Sequence, residues 1–286
     1  MRIVICGANG FIGRKLRVAA QRRKWEIIPL GRADFEKGTG HLARKISGAD
    51  VLVNLAGAPI VQRWTESYKQ ELRNSRIITT QRLVDALRMT VQIPKLFIST
   101  SAIGIYSLAG RHTELVYNPA GDFMGKLCQD WEAEAKAAEA YTRTVIFRLG
   151  IVLAAEGGAL PKMLLPFKLG LGGRIGNGRQ GFSWIHIRDL IAAYFFVIEN
   201  SQLSGTFNLT SPEPIDNLTF TRTIARILHR PAWFAVPVFV LKIIYGEGSA
   251  AITGGPTVLP ERLMKSGFQY SFPTLDGALK DILVRY

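Results

Sequence analysis

Three glycines at three-residue spacing, Gly7, Gly10 and Gly13 in GANGFIG, follow the apolar run RIVIC and precede an amphipathic stretch. That order sets a tight turn against a helix start, where backbone N–H groups lack intrahelical partners and the helix dipole favours negative charge. A dinucleotide pyrophosphate needs such a turn, a backbone with no Cβ in the way, and free donors. The glycines meet the first two needs, and Asn9, Phe11 and Ile12 offer backbone donors for the third. The tip of the next apolar run, IIPLGRAD, decides between two cofactors, since an acid there serves ribose hydroxyls and a cation serves a 2′-phosphate. Gly31 and Arg32 occupy the tip, Arg14 stands near on the loop's helix, and a guanidinium is a planar, bidentate phosphate donor. The residues predict NADP(H), with Asp34 serving an unphosphorylated ribose as the alternative.

Other residues could complete such a site. Leu55, Ala56 and Gly57 in NLAG are small enough to let a cofactor lie against backbone. Glu71 and Arg76, in RWTESYKQELRNSR, read by themselves as solvated helix charges. Ser99, Thr100 and Ser101 follow KLFI as hydroxyls at a strand end, and Ser99 is counted with the cofactor-lining groups. Tyr106 stands five residues after Ser101. His186 in WIHIRDL could move a proton or satisfy local backbone groups, and Asp189 reads as a helix cap. Lys168, Arg174 and Arg179 lie in LPFKLGLGGRIGNGRQGFSW, whose six glycines in twenty residues read as a loop or short ribbon that either grips an anionic substrate or is simply solvated.

The elements that must position these residues alternate through the first half of the chain. Strands are expected at RIVICG, WEIIPL, ADVLVNLAG, KLFISTS and TRTVIFRLGIVL. Helices are expected over Arg14 to Arg23, Glu66 to Met89 and Asp122 to about Tyr141. Continuous apolar strands alternating with helices argue a parallel sheet covered on both faces, a doubly wound, Rossmann-type α/β fold. The pattern changes near Leu153, where glycine and proline become frequent and elements shorten. Helices near Leu190 to Glu199, over Leu218 to His229 and over Leu275 to Val284, with strand TFNLT, make up the rest. The expected division is a cofactor-binding domain over 1–153 and a substrate lobe over 154–286, some of whose segments return to the first domain.

Composition narrows the setting. The chain has 286 residues, 48% hydrophobic and 20% charged, which reads as globular. Two cysteines, Cys6 and Cys128, give neither a disulfide framework nor a metal spacing, so a reducing compartment is expected. The run Ala232 to Leu241 is broken by Pro237 and is too short to cross a bilayer. With no room for a signal peptide before the first strand, a cytoplasmic location is expected. Lys and Arg exceed Asp and Glu by 36 to 22, a net charge of +14. The excess favours anionic company, but no basic-aromatic alternation accompanies it, so no specific nucleic acid is expected and anionic lipid stays a minor reading.

GANGFIG, NLAG, ISTSAIGIYS, FRLGIVL and WIHIRDL together resemble the landmarks of the extended short-chain dehydrogenase/reductases. RWTESYKQELRNSR, LCQDWE, LLPFKLGLGGRIGNG, SWIHIRDL and PERLMKSGFQYSFP resemble a smaller atypical branch, the epimerase-family proteins, over nearly the whole chain. The resemblance implies a seven-stranded parallel sheet, a small C-terminal lobe and bound NADP(H). It further implies that Gly31 and Arg32 meet the adenosine phosphate, that Leu55 and Ala56 line the cofactor, and that Glu71, Arg76 and Val152 lie along its path.

The larger family uses a Tyr-x-x-x-Lys pair to move the proton that must accompany hydride transfer. No tyrosine in this chain is followed by lysine at that spacing. Counting back from Glu132, the two places fall on Met124 and Cys128, neither of which can do that work, and Lys126 lies about 200° from each around the helix. Cys128 is expected to pack as a small apolar group beside Leu127 and Trp131, and Asp122 to cap the helix. By resemblance Ser101 would orient a substrate oxygen, and Tyr106 is the substitute proton donor. Two functions follow: an NADP(H)-dependent oxidoreductase or epimerase-like enzyme acting on an unidentified small molecule, or a non-catalytic NADP(H)-binding sensor for a protein partner. A homodimer is compatible with either.

Overall fold

The computed structural model describes residues 1–283; the Val284 end expected for the last helix lies outside the described residues. In chain order the first half runs β1 (Arg2–Cys6), α1 (Phe11–Arg22), β2 (Glu26–Leu30), α2 (Arg32–Glu36), α3 (Thr39–Ile46), β3 (Val51–Asn54) and α4 (Glu66–Arg73). A π-helical turn, Asn74–Ile78, joins α4 to α5 (Thr79–Met89). Then come β4 (Leu96–Ala102), β5 (Arg111–His112), α6 (Phe123–Lys136) and β6 (Arg143–Leu149). The second half continues with β7 (Ile151–Leu153), α7 (Leu160–Lys168), β8 (Gly173–Ile175), β9 (Gly181–Phe182), β10 (Trp184–His186), α8 (Ile187–Glu199), β11 (Gly205–Leu209), α9 (Asn217–Leu228), β13 (Phe234–Val236), numbered after the two-residue β12 (Ile215–Asp216), and α10 (Val238–Tyr245).

Six strands form one parallel sheet in the order β11-β6-β4-β3-β1-β2. Alternate side chains of its buried strands feed two cores. Ile3, Ile5, Val51 and Val53 pack with Leu16 of α1 and with Leu190 and Tyr194 of α8. Val4, Cys6 and Leu52 pack on the other face with Leu42 of α3 and Leu83 and Leu87 of α5. Burial on both faces is why these strands read as continuous apolar runs. The chain leaves β1 toward β2 and returns to β3 on the other side of β1, so the strand order reverses between β1 and β3 and opens a crevice at their carboxyl ends.

The sheet has six strands rather than the seven implied by the resemblance. TRTVIFRLGIVL is not one strand, because Gly150 breaks it. A Cβ at Gly150 would sit 2.7 Å from the Ser183 carbonyl oxygen and 2.9 Å from Thr210 Cγ2. The bend sends β7 out of the sheet to pair with β10 in a separate parallel ribbon. The glycine-rich stretch contains a short ribbon, with β8 pairing with β13, as one of its two readings expects, but its first residues are helical, since α7 runs through Lys168. Around this half, Phe182 stacks on Phe220 at 3.9 Å and Trp184 packs with Leu160, Ile224 and Leu279.

Candidate functional site

The glycine loop leaves β1 with Gly7 at φ +79°, a left-handed conformation that favours glycine. A Cβ there would lie 2.9 Å from the Leu55 carbonyl, so the loop and the end of β3 touch backbone to backbone. Gly13 is equally constrained, because its Cβ would meet the Gly7 oxygen at 2.3 Å. Gly10 is the N-cap of α1, extended and without a side-chain cap, so the first turn presents its N–H groups to the crevice. Asn9 is held from outside: Arg14 donates to its carbonyl at 2.8 Å and Arg17 to its Oδ1 at 3.0 Å. Arg14 is thereby committed to shaping the loop. Phe11, Ile12, Leu55 and Val152 pack together against the sheet's core, which brings the expected cofactor-lining residues to one edge.

At the tip of β2, Gly31 caps α2. Asp34 accepts the Gly31 N–H at 2.8 Å, Lys45 Nζ at 2.9 Å and His41 Nε2 at 3.0 Å. Partial desolvation opposes its charge, but the Gly31 N–H, Lys45 and His41 outweigh that and hold its carboxyl well below the usual range. The carboxylate is thus spent on fixing the tip, while Arg32 stays exposed at the start of α2.

Arg76 departs from the solvated charge read from sequence. The π-helical turn carries it inward until it is 7% exposed, with its guanidinium 5.4 Å from the Trp131 ring and donating at 2.9 Å to the Ala58 carbonyl. Its other acceptors are the Leu72 carbonyl and the Ser75 hydroxyl. Among the described residues no carboxylate lies within ion-pair distance of it, and burial pulls its pKa below the ordinary arginine value. Gly57 lies over this guanidinium, where a Cβ would come within 3.1 Å. Glu71 remains exposed on α4. The signal for Arg76 was not in its spacing: π turns insert one residue into a helix and turn a polar position onto the buried face.

Ser99 pairs in register with Asn54, and its buried Oγ has no hydrogen-bond partner among the described residues. Ser101, also buried, donates to Glu132 Oε1 at 2.7 Å. Glu132 also takes two hydrogen bonds from Arg148, at 2.8 and 2.7 Å, with both side chains 3% exposed. Arg148 donates at 2.8 Å to the Tyr106 hydroxyl, which donates at 2.6 Å to Asn208 Oδ1. Tyr106 is 1% exposed, and burial, partly offset by Arg148 and Asn208, pushes its pKa up to about 12. This placement does not suit the proton donor inferred from sequence, since the hydroxyl is enclosed and its proton is already given to Asn208.

On α6, Asp122 caps the helix by accepting the Gly125 N–H at 2.8 Å. Met124 and Cys128 face Gly104, whose Cβ would lie 3.2 Å from Met124 Cε and 3.8 Å from Cys128 Sγ. Cys128 packs with Ile105 and Tyr106 rather than with Leu127, which joins Trp64 and Leu72. Burial and the nearby Glu132 charge push the thiol up to about 12. Lys126 points to solvent and pairs with Asp130. Farther off, His186 caps α8 by accepting the Arg188 N–H at 3.1 Å. Asp189 does not cap; its carboxylate accepts the backbone N–H groups of Ser271 and Phe272, each at 2.9 Å, tying the C-terminal segment to α8. Arg174 on β8 and Arg179 just after it are exposed, as is Lys168 at the end of α7.

A parallel sheet with a glycine cradle at its switch point defines a dinucleotide-binding protein, and the buried Arg76 and unsatisfied Ser99 hydroxyl fit an anionic, hydroxyl-rich group lying over the carboxyl edge. Residues 3–210 match the NAD dependent epimerase/dehydratase family, and the chain belongs to that family. Residues 236–282 match a domain of unknown function, DUF1731. The chain is 37% identical over 298 residues to the epimerase family protein YfhF of Bacillus subtilis strain 168, covering 99% of this chain and 98% of that one. It is 41% identical over 294 residues to SAR0825 of Staphylococcus aureus strain MRSA252, covering 98% of each. The crystal structure of human epimerase family protein SDR39U1 (isoform 2) with NADPH matches with a TM-score of 0.93 at 35% identity over the whole of both chains. UDP-glucuronic acid 4-epimerase of Bacillus cereus, with UDP-glucuronic acid and NAD, matches at 0.77 and 17% identity, which shows the shared fold.

Proposed function

We propose that this protein binds NADP(H) in preference to NAD(H) and presents it, as an epimerase-like or oxidoreductase protein without a Tyr-x-x-x-Lys pair, to a small, anionic molecule. The observation that carries the cofactor choice is the tip of β2. Asp34 is consumed by Gly31, Lys45 and His41, so the exposed charge there is the guanidinium of Arg32. The NADPH held by the human relative supports the same choice. Gly7, Gly10 and Gly13, with the N–H groups at the start of α1, would hold the pyrophosphate, and Leu55, Ala56, Gly57 and Val152 would line the cofactor. Ser99 and Arg76 would meet its polar groups. When bound, the nicotinamide supplies hydride chemistry.

The test is a pair of titrations with NADPH and NADH. Loss of a charge-assisted hydrogen bond costs about 1.5–3 kcal/mol, so Arg32→Ala should weaken NADPH binding about 10- to 100-fold and leave NADH nearly unchanged. An unchanged NADPH-to-NADH ratio sinks the assignment.

A second reading, a cofactor-binding module without turnover, is favoured by the closed network that holds Ser101 and Tyr106. Steady NADPH binding with no oxidation in the presence of carbonyl compounds and nucleotide sugars supports it, and any catalysed oxidation removes it.

A further inference from the structure

α10 has the sequence VFVLKIIY, and none of its eight residues is buried. Phe239 is 64% exposed and Ile243 68%, and just before the helix Trp233 is 86% exposed. Val238, Leu241 and Tyr245 form a half-buried stripe, but the other side, with Phe239, Ile243 and Ile244, has no covering layer among the described residues. The bare surface continues into the neighbouring segment. β13 pairs in parallel with β8, setting Phe234 beside Gly173, and a Cβ on Gly176 would touch Val238. Leu165, Leu169 and Leu171, leading into β8, are also exposed.

Charge tells which partner fits. The two segments that build this surface, 160–182 and 228–246, contain Lys162, Lys168, Arg174, Arg179, Arg230 and Lys242, and neither has a single Asp or Glu. All six cations are exposed. A second copy laid face to face would set like charges against each other across the contact. A surface with an aromatic and aliphatic centre and six exposed cations in the segments that build it, the adjoining Glu247 being paired with Lys69, matches the headgroup layer of an anionic bilayer, where apolar side chains enter the acyl boundary and Lys and Arg meet phosphates. Among the described residues no helix is long and apolar enough to cross a membrane, so the contact would be peripheral.

We propose that the face formed by α10, β13 and the α7–β8 segment docks on anionic lipid surfaces. The test is sedimentation of the full chain with vesicles of phosphatidylcholine alone and of equal parts phosphatidylcholine and phosphatidylglycerol. The protein should partition into the mixed vesicles, lose that binding as salt is raised, and largely ignore the neutral ones. Phe239→Ser with Ile243→Ser should lower partitioning at least tenfold. Lys242→Gln, which leaves the apolar surface intact, should lower it about fivefold, the weight of one cation near such a surface. Equal thermal midpoints would show that the variants are folded, and if the double variant unfolds, Lys242→Gln alone decides. Indifference to phosphatidylglycerol, or unaltered binding by these variants, overturns the proposal. So does a dimer that the double variant dissolves without any vesicle binding, which would make a second copy the occupant.

Discussion

Glu132 and Arg148 hold each other in the interior through two contacts below 3 Å, and Ser101 and Tyr106 attach to the same pair. Removing one partner of such a pair leaves an uncompensated buried charge and costs about 3–5 kcal/mol. Glu132→Gln should therefore lower unfolding free energy by about that much in urea titrations, far more than Glu139→Gln at an exposed position just beyond the helix. Tyr106→Phe strips one hydroxyl from Arg148 and Asn208, for a loss of about 1–3 kcal/mol, with NADPH affinity unchanged. If it instead abolished turnover while leaving stability intact, the hydroxyl would be catalytic after all. The sequence could not show this, because the partners of Tyr106 lie 42 and 102 residues away. Asp34, by contrast, sits three residues from the backbone it caps, and its alternative duty to the ribose is legible from its place at the tip of the second apolar run.

At the scale of elements, α6 shows where local reading works. Asp122 is an acid placed three residues before the N–H it accepts, and Asp122→Ala should cost about 1 kcal/mol. Gly125 shows where it fails. Propensity alone predicts that Gly→Ala inside a helix gains about 1 kcal/mol. Here the added Cβ would lie 2.1 Å from the Ala120 carbonyl oxygen, so Gly125→Ala should destabilise, as a lowered thermal midpoint would reveal. Helix starts and apolar strands were legible because their signals repeat within a turn or two. The π turn and the break at Gly150 were not, since each answers to distant backbone: Ala58 for Arg76, and Ser183 for Gly150.

For the whole molecule, the alternation of strand and helix foretold the doubly wound sheet, because burial on both faces leaves little but apolar residues in its strands. Strand count was harder, since β7 differs from a sheet strand only in the turn that precedes it. Burial on this scale also sets an alkaline limit. Cys6 and Cys128 are pushed from 9.0 up to about 12, chiefly by burial, and Tyr106 from 10.0 to about 12. Groups with raised folded pKa values give stability that is whole below their unfolded pKa and is lost as pH climbs toward the folded one. Unfolding free energy should hold level up to about pH 8 and fall between roughly pH 9 and 12, and Cys128→Ala should make the fall shallower.

The same two thiols offer a clock. They are the chain's whole complement, one at the end of β1 in the sheet and one on α6 against Gly104, and both are buried. A thiol reagent can reach either sulfur only when the fold around it opens. Labelling rates in the absence of denaturant thus time two separate openings. If Cys128 is modified well before Cys6, the wall beside the dinucleotide edge breathes on its own while the sheet stays shut.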